Sequence, residues 1–253
     1  MRKFCSRRSV IVMELLSEEN VSDRDVSLQE VVLKGRVYGT LLNDLVELET
    51  MKDDFLKSPY KQPPEAPVLY MKPRNTYNEH GQPLLLPKDV AEVQMGATLG
   101  IVIGQTATAV KKISALDVVS GFTIIGDVTV PHKSFFRPAV KHRARDGFCF
   151  LGPQVIGSAL IDDINDVEVK TYVNDQIVCS WLTSNLYRSV AQLLEDVTAF
   201  MTLSRGDVLH VGVRQDAPIV RKADRIRIEI DPIGVLETNV VREQAIIVDR
   251  GHL

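Results

Sequence analysis

Alternation of apolar and polar residues dominates the chain from residue 31 onward. The run Arg225-Ile226-Arg227-Ile228-Glu229-Ile230 alternates strictly, which is the period of a strand with one buried face. Apolar-rich runs at 34–42, 68–72, 98–103, 122–130, 167–173, 176–181 and 206–212 predict further strands. Asn174-Asp175 separates two of them and predicts a hairpin turn. Helical spacing occurs twice. Over residues 47–56, Leu45, Leu48, Met51 and Phe55 can share a face, and Pro63-Pro64 in the Pro-rich stretch 59–67 cannot continue a helix. Over residues 184–200, Val190, Leu193, Leu194, Val197 and Phe200 form a stripe, with Thr183 or Ser184 as the cap. Many strands, few helices and no regular strand–helix alternation exclude a Rossmann or TIM fold and predict a mainly β (α+β) domain. No internal repeat is present. Residues 1–30 are charged, with Ser17-Glu18-Glu19-Asn20 and Ser22-Asp23-Arg24-Asp25, and predict a solvated arm ahead of one domain over 31–253.

Composition narrows the partners. The 253 residues are 45% hydrophobic and 25% charged, ordinary for a chain with a buried core. A net charge of -3 provides no basic field, so neither nucleic acid nor an anionic membrane is an expected partner. Cys5, Cys149 and Cys179 are odd in number and form no CxxC pair, so they read as thiols of a reducing cytoplasm. No apolar run approaches the ~18 residues needed to span a bilayer. The basic start through Arg8 followed by Val10-Ile11-Val12-Met13 resembles a signal peptide only superficially. Glu14 interrupts it and no small-residue cleavage site follows. A cytoplasmic location is expected.

Chemistry enters through four motifs in fixed order. They are Tyr70-Met71-Lys72-Pro73-Arg74-Asn75-Thr76, then Gly121-Phe122-Thr123-Ile124-Ile125-Gly126-Asp127-Val128. Arg143-Ala144-Arg145-Asp146-Gly147-Phe148 running on to Gly152-Pro153 follows, and last comes Thr202-Leu203-Ser204-Arg205-Gly206-Asp207. Together they resemble the fumarylacetoacetate hydrolase family, whose fold is a rolled mixed β-sheet with few helices. The stretch Gly96-Ala97-Thr98-Leu99-Gly100-Ile101-Val102-Ile103-Gly104 resembles that family's metal-binding strand, Glu-x-Glu-Leu-x-x-x-Ile-Gly. Gly96 and Thr98 stand where the resemblance implies carboxylates. Of the three ligands for Mg²⁺ or Mn²⁺, only Asp127 is retained, and one carboxylate does not capture such a cation. No cofactor or metal ligand is therefore assigned.

Val37-Tyr38-Gly39-Thr40-Leu41-Leu42-Asn43, Pro59-Tyr60-Lys61-x-Pro63-Pro64 and Lys72 to Thr76 narrow the resemblance to a decarboxylase/isomerase branch of 4-hydroxyphenylacetate (homoprotocatechuate) catabolism. Its members decarboxylate 5-oxopent-3-ene-1,2,5-tricarboxylate and isomerise 2-hydroxyhepta-2,4-diene-1,7-dioate. They are built as two homologous halves, fused or as sister subunits. The resemblance implies small di- or tricarboxylate substrates and a homo- or hetero-oligomer. It marks Asp127, Arg143 and Lys72 as catalytic and Arg74 and Arg214 as substrate-binding. Arginine at 143 replaces a lysine and adds a planar fork suited to carboxylates. Glu47 falls at the family's lid histidine and reads as a first-turn helix acid, while the Gly-Thr-Pro loop has become Gly212-Val213-Arg214. His132 and His210 have no partner at metal or triad spacing, and His210 reads as a structural strand residue. Two alternatives remain at this point. One is a non-catalytic partner half of a metal-bearing sister; the other is an acylpyruvate-type hydrolase, which needs the same missing groups.

Overall fold

In the computed structural model, which describes residues 35–132 and 137–243, the alternating runs become paired strands. β1 (Val37–Leu41) leads into α1 (Leu45–Thr50) and α2 (Lys52–Phe55), and β2 (Val68–Lys72) returns antiparallel to β1. A 3-10 turn at Arg74–Thr76 precedes β3 (Tyr77–Glu79), β4 (Leu84–Leu86) and the long β5 (Glu92–Ile103). There follow β6 (Val119–Thr129), α3 (Val140–Arg143), β7 (Cys149–Ile156), β8 (Glu168–Val173) and β9 (Gln176–Leu182). The chain continues through α4 (Val190–Thr198), β10 (Val208–His210), β11 (Ile219–Arg221), β12 (Arg225–Ile230) and β13 (Gly234–Arg242).

One sheet runs β2-β1-β10-β5-β6-β7-β3, with β11 beside β5, and the second runs β4-β13-β12-β8-β9. Both are mixed, because β1–β10, β3–β7 and β4–β13 pair in parallel among antiparallel neighbours. The expected mainly β, mixed-sheet architecture with few helices is what forms. In β12 the three isoleucines are buried while Arg225 is exposed, as strict alternation requires. They join Met95, Leu99, Phe150 and Leu236 in a core between the sheets that also takes Val190, Leu193, Leu194 and Val197 of α4. Burying each such side chain stabilises by about 1.5–3 kcal/mol. Asn174 and Asp175 have φ of 52° and 67°, the left-handed pair of a two-residue hairpin between β8 and β9.

Two helices differ from expectation. The segment 184–200 begins as a 3-10 turn at Thr183–Asn185, and α4 starts only after Ser189, whose hydroxyl accepts from Gln192 N–H. Asn43 is the physical reason. It accepts from Arg188 N–H at 2.9 Å and donates to Arg188 C=O at 3.1 Å, taking backbone groups a continuous helix would use. Phe200 lies past the helix end and is 60% exposed, so it is not part of the stripe. The 47–56 helix starts earlier, capped by Asp44, and breaks at Met51 into α1 and α2; Met51 and Phe55 are buried but Leu45 is exposed. The arm expected over residues 1–30 lies outside the described residues. No helix among the described residues is long and apolar enough to cross a membrane.

Curling of the larger sheet positions the site. β2 and β6 are four places apart in strand order, about 19 Å in a flat sheet at 4.7–4.9 Å per strand. Yet Lys72 of β2 and Asp127 of β6 meet at 2.7 Å. Only a sheet rolled toward its own face allows that contact.

Candidate active site

The β5–β6 register sets Gly96 opposite Asp127, and the pleat puts Gly96, Thr98 and Asp127 on one face. From across the curl, β2 contributes Tyr70 and Lys72, two residues apart and so on one side. The fully buried Lys72 Nζ donates to Asp127 Oδ1 at 2.7 Å, Arg143 C=O at 2.8 Å and Val128 C=O at 3.3 Å. Three acceptors satisfy the three protons of an ammonium. Arg143, the last residue of α3, donates from Nη1 to Asp127 Oδ2 at 2.8 Å and to Tyr70 Oη at 3.0 Å. Its guanidinium carbon lies 4.6 Å from the centroid of the Tyr70 ring. The Tyr70 hydroxyl donates to Asp127 Oδ2.

His210 closes the network. Gly212 N–H donates to its Nδ1 at 3.2 Å, and its Nε2 lies 2.9 Å from Tyr70 Oη. Since Nδ1 accepts, the neutral ring carries its proton on Nε2 and donates to the tyrosine. Burial, aided by Arg143 and Lys72 and opposed by Asp127, pushes the His210 pKa down to about 4. Burial alone would raise the Asp127 carboxyl, but Lys72 and Arg143 outweigh it and hold it at about 2. Burial likewise keeps the Tyr70 phenol well above its ordinary value. Asp127 is thus an ionised carboxylate with both oxygens engaged by cations.

A pocket of about 460 Å³ opens on this cluster, its lining including Glu47, Gly96, Asp127, Arg143, Val213 and Arg214. Glu47 is the third residue of α1, and its N–H donates to the capping Asp44 carboxylate at 2.9 Å. Burial first, then the Asp44 charge, raises its carboxyl from 4.5 to about 7, with Arg143 and Arg214 only partly opposing. Its Oε2 is buried without a partner, and so is Arg143 Nε. Arg214 is held by Asp216 at 2.7 Å through both Nε and Nη2, and by Asp44 at 3.4 Å.

A family model, fumarylacetoacetate (FAA) hydrolase C-terminal, matches residues 36–241. The chain belongs to the fumarylacetoacetate hydrolase family. Among its relatives is the 4-hydroxyphenylacetate degradation bifunctional isomerase/decarboxylase of Salmonella dublin, 36% identical over 211 residues, which are 83% of this chain and 48% of that one. The chain therefore spans about half the length of the curated relatives of this kind. Among solved structures, 5-carboxymethyl-2-hydroxymuconate delta-isomerase from Mycobacterium smegmatis superposes with a TM-score of 0.72 at 29% identity, covering 85% of this chain and 81% of that one. Maleylpyruvate hydrolase from Sphingobium sp. SYK-6, in complex with manganese(II) and pyruvate, gives 0.69 at 25% identity over 83% and 71%.

Within this fumarylacetoacetate hydrolase fold, the residues singled out from sequence separate into three groups. Asp127, Arg143 and Arg214 reach the pocket. Lys72 stands behind Asp127, outside the lining, and orients Asp127 and Arg143 through its hydrogen bonds. Arg74 does not reach it: after Pro73 the 3-10 turn rotates the chain, and this side chain ends exposed. His210, read as a structural strand residue with no partner at metal or triad spacing, lies in β10, where the curl brings Tyr70 and Asp127 to it; its Nε2 is 3.8 Å from Asp127 Oδ2. His132 lines the pocket and stacks on His142, centroids 5.0 Å apart. Glu47, read as a helix acid, is that and also a pocket residue. Its place at the family's lid histidine was the signal that could have found it. A Cβ on Gly96 would lie 2.8 Å from Val213 Cγ1 and 2.9 Å from Asp127 C=O. Among the described residues no group of three His, Cys, Asp or Glu is placed to hold a metal.

Proposed function

We propose that this chain acts on an enolisable 2-oxo di- or tricarboxylate as a decarboxylase/isomerase half of 4-hydroxyphenylacetate breakdown, and that it does so without a divalent cation. The isomerase and isomerase/decarboxylase relatives support the reaction class. One observation carries the metal-free reading: Lys72 and Arg143 hold the two Asp127 oxygens at 2.7 and 2.8 Å. The residues present do not fit Mg²⁺ or Mn²⁺, because position 96 offers no donor, position 98 offers a neutral hydroxyl, and Asp127 is already paired.

Loss of CO₂ or of a carbon-bound proton next to a carbonyl leaves an enolate. Fixed positive charge aimed at its oxygen lowers the barrier. Arg143 is the pocket's candidate for that task, and Asp127 with Lys72 fixes its position. Arg214 serves as a second anchor at the pocket wall. Assembly as a dimer or higher oligomer, with itself or with a homologous half, belongs to the same proposal. The test is a spectrophotometric assay of substrate loss in excess chelator. Undiminished turnover is the expected result; turnover abolished by chelator and restored by Mn²⁺ would refute it.

A second reading, a non-catalytic half, is favoured by Gly96 and Thr98, which stand where the resemblance implies metal-binding carboxylates. Activity that appears only on mixing with a homologous second half would support it.

A further inference from the structure

Among the described residues, four buried side-chain atoms find no hydrogen-bond partner: Thr40 Oγ1, Glu47 Oε2, Thr98 Oγ1 and Arg143 Nε. Two of the four belong to residues lining the one pocket at the Asp127 cluster. One is an acceptor and the other a donor, on residues only 6% and 7% exposed. Buried polar atoms are nearly always satisfied, so an unpartnered acceptor and an unpartnered donor on two residues that line the same pocket point to what that pocket receives. A group with an oxygen for Arg143 and an acidic hydrogen for Glu47 satisfies both.

We propose that Glu47 is the group that transfers the substrate proton in this pocket, working against an enolate oxygen held by Arg143. The proposal rests on the functional reading above. Glu47 as carboxylate removes a proton from the carbon beside the substrate carbonyl. The C–H pair becomes a C=C bond, and the carbonyl π pair moves to oxygen, facing the guanidinium. Returning the proton from the Glu47 carboxylic acid to the far carbon of the conjugated system restores the carboxylate. Nothing is consumed, and the sum is a shift of a double bond.

The surroundings suit the task. Asp44 on the same segment faces Glu47, as do Arg143 on α3 and Arg214 and Asp216 beyond β10, while His132 and Asp127 share the pocket. The resulting value of about 7 lets both protonation states exist near neutral pH, which suits general acid–base catalysis. Asp127 at about 2 and Tyr70 far above its ordinary range are each confined to one state. They cannot cycle a proton as Glu47 can.

The experiment uses the full chain and a stable probe, 2-oxohexanedioate, in D₂O. Proton NMR follows loss of the C3–H signals, and calorimetry measures binding of the same probe. The wild type is expected to exchange C3–H above the buffer rate. Glu47→Gln should bind within about threefold yet exchange at least about 100-fold more slowly, the scale of losing a general base. Glu47→Ala with added formate should recover part of the rate, which a structural role would not predict. Glu47→Gln exchanging like wild type while binding the probe would overturn the inference and leave the functional reading standing. A wild type that neither binds nor exchanges the probe would overturn both.

Discussion

Replacing Glu47 by glutamine should stabilise the fold, and increasingly so as pH rises. In the unfolded chain the carboxyl has its ordinary value of 4.5, whereas burial and Asp44 lift it to about 7 in the fold. Between these values the native state keeps a proton that the unfolded state has released, so stability falls with rising pH. At about 1.36 kcal/mol per unit, the penalty is roughly 0.8 kcal/mol at pH 5 and roughly 3 kcal/mol at pH 7, levelling off near about 3.4 kcal/mol. Glutamine keeps the shape and cannot ionise. Its unpaired amide adds a cost that does not depend on pH, so the slope is the clean observable. Urea unfolding of both proteins at pH 5, 6, 7 and 8 should show the stability difference growing in favour of glutamine by about 2.5 kcal/mol. A difference constant within about 0.5 kcal/mol would refute a buried, proton-holding Glu47. The same substitution should slow proton transfer. Stability gained where function is lost is the usual mark of a site kept under strain for chemistry.

Asp127→Asn should destabilise by about 3–5 kcal/mol, because it leaves the buried Lys72 ammonium and Arg143 guanidinium without their carboxylate; urea unfolding at neutral pH measures it, and a loss under about 1 kcal/mol would contradict the network. Gly96→Ala should cost about 1–3 kcal/mol by overpacking against Val213 and the Asp127 carbonyl, visible as a lowered melting temperature. Light scattering should find a dimer or larger particle, and a monomer of 28.2 kDa at micromolar concentration would count against the assembly.

Period-two alternation is a local property, and where it is strictest it was legible: Arg225–Ile230 of the sequence is β12 end to end, whereas β7 and β13 lie outside the runs expected from sequence. The turn at Asn174-Asp175 was equally plain, because its chemistry lies in two adjacent residues. What failed depended on distant partners. The late start of α4 comes from Asn43, 145 residues before Arg188. His210 meets Tyr70 across 140 residues, and no spacing rule links residues joined only through the curl of a sheet. Arg74 lies outside the pocket lining because i and i+2 share a face only while the strand lasts, and the strand ends at Lys72, before Pro73. Glu47 had an adequate local explanation as a first-turn acid beside a cap, which concealed that the same turn faces the pocket.

Charge counting explains how this site can drop a metal and remain a site for anions. The pattern the sequence resembles holds a divalent cation with one aspartate and two glutamates. Here both glutamate positions, Gly96 and Thr98, are neutral. Removing a dication together with two carboxylates leaves the local net charge unchanged. What remains, Lys72 and Arg143 against Asp127, still carries one net positive charge. Coulomb attraction for a substrate anion should therefore survive without any cation, and it should reside in Arg143, whose Nε is unpartnered. Calorimetry with 2-oxohexanedioate should give the same affinity with and without excess chelator. Arg143→Gln should weaken binding by about 1.5–3 kcal/mol, the worth of a charge-assisted hydrogen bond, and Arg143→Lys should lose less because it keeps the charge but not the fork. Chelator abolishing the binding, or Arg143→Gln leaving it intact, would show that the charge at this site is supplied by something other than these two side chains.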